Sequence, residues 1–195
     1  MYRYGETHGG WNTDNVIVTK GNDFPDALSI ASYASSFATP ILLVDQNSSS
    51  LDSFTRSSVT KHSQAVVLGG TDSVSRSLFD KIDNAAPSGA IRLDGEDRYE
   101  ACLSIVEWEL SQGMQLEGVG FATGEKFADA LSSGFLLSQT NSVLLLVNGV
   151  NDSANASVYD FLEENAEGVL EAKIFGGTAS VIDSVRMSIV ASLGW

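Results

Sequence analysis

The chain has 195 residues, 43% hydrophobic and 18% charged, enough to bury a core as one large or two small domains. Its formal charge of −14 argues against sequence-independent nucleic-acid binding, which needs a basic face. No apolar run reaches the roughly 20 residues that a membrane-spanning helix requires, and the single cysteine, Cys102, excludes an internal disulfide or a thiolate metal cage.

Met1 is followed by Tyr2-Arg3-Tyr4-Gly5-Glu6, which lacks the apolar stretch of a signal peptide. Either the protein is intracellular or its signal lies outside this sequence. Short apolar runs then mark strands at Asn15–Thr19, Pro40–Val44 and Ala65–Leu68, and again at Gly118–Ala122, Val143–Val147 and Glu171–Phe175. Apolar almost throughout, they read as strands covered on both faces. Between them, Ala27, Leu28, Ala31 and Ala34 recur at helical spacing, as do Val74, Leu78 and Ile82. Ala130, Leu131, Phe135 and Leu136 repeat the first set, and Val181, Val185 and Ile189 the second. Strand–helix alternation of this kind predicts an α/β fold of tandem βα units with parallel, doubly wound sheets. His8 and His62 lie in polar segments and are expected on the solvated surface, and Cys102 is expected as a small buried side chain on a helix.

The second half repeats the first. Gly21, Phe24 and Asp26-Ala27-Leu28-Ser29 recur 103 residues later as Gly124, Phe127 and Asp129-Ala130-Leu131-Ser132. Pro40-Ile41-Leu42-Leu43-Val44 keeps that offset against Val143–Val147, and Gly69-Gly70-Thr71 recurs 107 residues later as Gly176-Gly177-Thr178. Three matched segments in one order mean duplication. The boundary falls at Ala85–Gly89, so the copies span 1–88 and 89–195. The first holds 6 basic and 9 acidic side chains, the second 5 and 16. The second opens with a strand, Ala90–Leu93, and an amphipathic helix, Tyr99–Leu110, that lack a full counterpart in the first. The first copy therefore reads as truncated, and further sequence with a signal peptide is expected ahead of residue 1.

Asp26 and Asp129 each follow a strand-exit glycine at the start of a helix, as helix caps or as ligand contacts at the carboxyl end of a parallel strand. Phe24 and Phe127 are expected to tuck under the turn. Gly69-Gly70 and Gly176-Gly177 permit a tight turn whose amides could hold an anion, although neither is a P-loop. Gly95-Glu96-Asp97-Arg98-Tyr99-Glu100 sets acids and an arginine at a helix start, where Arg92 and Arg98 could pair with Asp97 and Glu100 or serve as anion forks. No nucleophile elbow, Cys/His pair or dense metal cluster emerges, so neither catalysis nor a cofactor is called for.

Arg92-Leu93-Asp94-Gly95-Glu96-Asp97-Arg98-Tyr99-Glu100, Ala122-Thr123-Gly124, Phe127-Ala128-Asp129-Ala130-Leu131-Ser132 and Gly176-Gly177 together resemble the cell wall-binding repeat 2 pattern. The first copy matches through Gly21, Phe24, Asp26-Ala27-Leu28-Ser29, Pro40-Ile41-Leu42-Leu43 and Gly69-Gly70. Ala101-Cys102 departs from the Thr-Ala that continues the family pattern, and Arg3-Tyr4-Gly5-Glu6-Thr7 is a distorted echo of the opening. The resemblance implies a flavodoxin- or Toprim-like α/β repeat that occurs in threes. It implies an extracellular module that retains secreted proteins on the wall through anionic polymers, teichoic-acid-like or a secondary wall polysaccharide. Arg92, Asp97, Arg98, Asp129, Gly176, Gly177, Asp26, Gly69 and Gly70 are the candidate ligand contacts. With a charge of −14, attraction to such a polymer must be local, through arginine forks or bridging divalent cations. The Pro40–Leu43 strand reads as core. Two alternatives stand beside this: an enzyme or phosphate binder on a doubly wound sheet, and a self-associating surface-layer module.

Overall fold

A computed structural model describes residues 2–48 and 50–195. After helix α1 (Tyr2–His8), strand β1 (Asn15–Lys20) leads through α2 (Pro25–Ser29) and α3 (Ala31–Ser36) to β2 (Ile41–Val44). Helix α4 (Ser53–Val59), β3 (Gln64–Leu68), α5 (Arg76–Asp83) and β4 (Ala90–Leu93) follow. The second half runs α6 (Arg98–Ser111), β5 (Gln115–Thr123), α7 (Phe127–Ser138), β6 (Ser142–Val147), α8 (Ala156–Asn165), β7 (Glu171–Ile174) and α9 (Asp183–Ser192). Two parallel sheets result, ordered β2-β1-β3-β4 and β6-β5-β7. The strand after the Ala85–Gly89 break therefore completes the first sheet, with Val67 opposite Arg92.

The near-continuous apolarity of the strands has the expected cause. Alternate residues of β1 enter different cores. Ile17 joins a large cluster with Leu28, Tyr33, Phe121 and Leu144 that spans both halves, whereas Val16 and Val18 join a smaller one with Val67, Leu78 and Ile82. Cys102 is buried in the larger cluster. Its Sγ lies 3.3 Å from both the Leu144 oxygen and the Leu146 nitrogen, and burial pushes the thiol up to about 12.

The halves meet at equivalent positions. Ser35 and Ser138 hydroxyls lie 2.9 Å apart, and a Cβ on Gly134 would come 2.9 Å from that of Ala31. Phe24 and Phe127 stack edge to face at 5.9 Å, so they bind each other across the seam instead of tucking under their own turns.

Three further expectations change. His62 is only 2% exposed: its ring meets Tyr2 edge-on, and Nδ1 lies 2.9 Å from the Ser58 oxygen. Burial holds its basicity below the usual imidazole range. The His8 side chain lies outside the described part of the structure. Leu43 points outward from the edge strand β2, so the Pro40–Leu43 run is only partly core. Helices α1, α4 and α8 had no counterpart in the periodicity. A cap explains α4, whose Asp52 accepts from the Phe54 and Thr55 amides at 2.9 and 3.0 Å.

Candidate binding site

From β1 the chain goes to β2 on one side, then to β3 and β4 on the other. The gap between the exits of β1 and β3 is thus a topological switch point, where open α/β sheets bind ligands. A cavity of about 410 Å³ lies there, walled by the loops after β1, β3 and β4. It brings together five of the candidate residues, Asp26, Gly69, Gly70, Asp97 and Arg98, and adds Lys20 and Asp23, which the motif reading had passed over. The signal for Lys20 and Asp23 was available, since both flank the strand-exit Gly21.

Each side chain is held by local chemistry. Asp97 caps α6, accepting from the amides of Tyr99 and Glu100 at 2.8 and 3.0 Å. Arg98, the first residue of α6, donates to the Gly124 carbonyl beyond β5 at 2.5 Å, a contact within the second copy. Lys20 pairs with Asp23 at 3.1 Å, and Asp23 also accepts from the Phe24 amide. Burial works to raise the Asp23 carboxyl, but the Lys20 contact and that amide hold it below the usual range.

Asp26 sits differently. It lies in the first turn of α2, yet the cap position belongs to Phe24 and carries no side-chain cap bond. Its carboxyl is pressed against Gly69: a Cβ there would fall 2.6 Å from Oδ2, and φ is +89°, so glycine is required on both counts. The residue is 9% exposed, and its carboxylate has no hydrogen-bond or ion-pair partner among the described residues. Burial raises its pKa, with Lys20 opposing and Asp23 reinforcing the shift.

The other candidates stand apart. Arg92 lies behind the lip, donating to the Gly69 and Val74 carbonyls at 2.5 and 2.8 Å, with its guanidinium 4.8 Å from the Phe79 ring centre. It pairs with neither Asp97 nor Glu100, and its fork is occupied by backbone. Asp129, Gly176 and Gly177 form the same Asp-on-glycine arrangement in the second half, where a Cβ on Gly176 would fall 2.5 Å from Asp129 Oδ2. There the strand and loop corresponding to Ala90–Arg98 have no counterpart among the described elements.

The comparisons with known proteins follow the two copies. The model of the family Cell wall binding domain 2 (CWB2) matches residues 3–79 and 92–186, one match per copy. The chain is 30% identical over 176 residues to the "Amidase enhancer" of Bacillus subtilis, covering 90% of this chain and 23% of that protein. It is 28% identical over 146 residues to the Bacillus subtilis N-acetylmuramoyl-L-alanine amidase LytC, covering 74% and 27%. Among solved structures, Cwp6 from Clostridium difficile superposes with a TM-score of 0.79 at 24% identity, over 93% of this chain and 28% of that one. Cwp8 from the same organism gives 0.78 at 18%, over 94% and 30%. These two likenesses show the fold, and the chain spans about a quarter of the length of the curated relatives it matches. With two family matches in tandem over most of its length, the chain belongs to the Cell wall binding domain 2 family.

Proposed function

We propose that this chain is a non-catalytic module that holds a longer secreted protein on the outside of the cell wall. The observation that carries the reading is the cavity built at the junction of two family repeats. Its walls come from the β1 and β3 exits of the first copy and the Asp94–Arg98 opening of the second. A site that needs two successive repeats explains why the unit is duplicated. The relatives named as an amidase and an amidase enhancer are consistent with a wall-directed accessory segment. The cavity lining offers carboxylates, hydroxyls and backbone groups, with Thr71 and Ser73 beside no histidine or cysteine of the lining. No described helix is long and apolar enough to cross a membrane.

The partner is a wall polymer, and an anionic one remains the proposal because the relevant contacts can be local. A second association face supports further repeats or self-association. Along α7, beside the contact with the first copy, Phe127 is 56% exposed, Leu131 62% and Phe135 71%. Pulldown with purified wall sacculi, before and after extraction of their secondary polymers, tests the reading. Retention by intact sacculi and loss after extraction is the expected result, and no retention by intact sacculi would overturn it.

A further inference from the structure

We infer that the switch-point cavity takes a protonated primary amine, such as a non-acetylated amino-sugar unit, and not the polymer's anionic group. The inference rests on the wall-binding reading and names the chemistry of its site. Six carboxylates line the cavity against two cations. Lys20 is ion-paired with Asp23 at 3.1 Å, Arg98 spends one donor on the Gly124 carbonyl at 2.5 Å, and the carboxylates outnumber both cations together by four. The carboxylate on the floor, Asp26, is nine-tenths buried and has no partner among the described residues. A phosphate or uronate entering here would meet uncompensated like charge, whereas an ammonium would supply the missing donors to a partly desolvated acceptor.

Two alternatives fit less well. No aromatic ring lines the cavity, so a sugar face finds nothing to stack on. No group of three or more His, Cys, Asp or Glu among the described residues is arranged to hold a metal ion, so a cation bound here would be one that brings its own hydrogen-bond donors. The exposed Asp94 and Glu96 at the rim steer an amine inward, and Asp26 receives it.

The test uses the whole chain and D-glucosamine, with N-acetyl-D-glucosamine, inorganic phosphate and calcium as comparison probes, read by backbone amide NMR shifts. Glucosamine should shift the signals of Gly69–Ser73 and Gly95–Arg98, and its N-acetyl form should not. Asp26→Asn should weaken that response by roughly tenfold, as expected for loss of a charge-assisted contact. The inference is overturned by equal response to the N-acetyl sugar, by stronger shifts with phosphate or calcium, or by undiminished binding to folded Asp26→Asn. Should that variant not fold, sacculi whose amines have been capped with acetic anhydride decide the matter. Capping should abolish retention of the wild-type chain, and unchanged retention refutes the amine while leaving wall binding intact. If untreated sacculi fail to retain the chain, the wall-binding reading falls, and the glucosamine titration still judges the cavity.

Discussion

Leu28 and Leu131 occupy the same position in the two copies, yet one is 8% exposed and the other 62%. Ser32 and Phe135 diverge more, from 0% to 71%. The copies therefore pack asymmetrically: beside the equivalent positions that meet, Ala31 with Gly134 and Ser35 with Ser138, the Leu28 and Ser32 stripe is covered in the first copy and its Leu131 and Phe135 counterpart faces solvent in the second. The lips above the sheets differ in the same sense. The Gly69 and Val74 carbonyls are clamped by Arg92, which arrives from the strand that opens the second copy. Their equivalents, Gly176 and Val181, are clamped at 2.7 Å each by Arg186 from the copy's own helix. Arg186 stands 107 residues after Phe79, the residue whose ring Arg92 covers. One structural requirement, a guanidinium fork on two turn carbonyls, is met from the neighbour in the first copy and internally in the second. The first lip depends on the second copy, and the second on itself.

The largest expected effect tests whether the copies share a core. Phe121 on β5 is fully buried in the cluster that also holds Ile17, Leu28 and Tyr33 of the first copy. Phe121→Ala should cost about 3–5 kcal/mol, and both halves should lose structure in one transition. Two separate melting steps, with only the second half shifted, would break the idea of a shared core.

The arginine exchange comes next. Arg92→Ala and Arg186→Ala should each cost about 1.5–3 kcal/mol, because carbonyls lose a charged donor, with Arg92 the more costly for its ring contact. The sharper distinction is in hydrogen exchange. Arg92→Ala should speed exchange at Gly69–Val74 and also at the β3–β4 pairing. Arg186→Ala should act only within the second copy. Identical exchange patterns for the two variants would remove the contrast.

The sequence made the strands, the duplication and five members of the cavity legible, because the period of apolar residues and the order of Gly, Phe and Asp are local signals. What joins the copies was not. Arg92 serves backbone carbonyls, which no side-chain pattern encodes. His62 sits between Lys61 and Ser63, and only the distant Tyr2 shows why it is buried. Glu109 is the plainest case: it lies on α6 among acidic residues, yet it is fully buried and its carboxyl oxygens have no hydrogen-bond partner.

That residue gives a prediction at the seam itself. Burial drives the Glu109 carboxyl well above the usual range, and the Tyr33 backbone amide, which opposes the shift, does not close a hydrogen bond. An acid that holds its proton more tightly when folded makes stability fall as pH rises from about 4, the unfolded carboxyl range, toward its folded value. Glu109→Leu should remove this slope and add about 1–3 kcal/mol at neutral pH, since a desolvated, unpaired group is replaced by an apolar one of similar size. A denaturant series between pH 4 and 8 reads both. Parallel curves for variant and wild type would mean that Glu109 finds a partner.

The smallest effect concerns the aspartates that both copies share. If Asp26 and Asp129 were helix caps, Asp→Ala would cost about 0.5–2 kcal/mol at each. Neither position does that work: the cap positions of α2 and α7 belong to Phe24 and Lys126, and neither helix has a side-chain cap bond. Asp97, by contrast, accepts from two amides of α6. Thermal and denaturant melts should therefore separate the three, with Asp97→Ala losing about 0.5–2 kcal/mol and the other two staying within about 0.5 kcal/mol of wild type. Asp26→Ala should sit at the favourable end of that interval, because it removes a buried carboxylate that no described group compensates, whereas Asp129 is less deeply buried. A residue kept in both copies without contributing to the fold that holds it is one whose use lies in what it meets from outside. A cost at Asp26 equal to that at Asp97 would return it to the scaffold and remove the reason to look for its ligand.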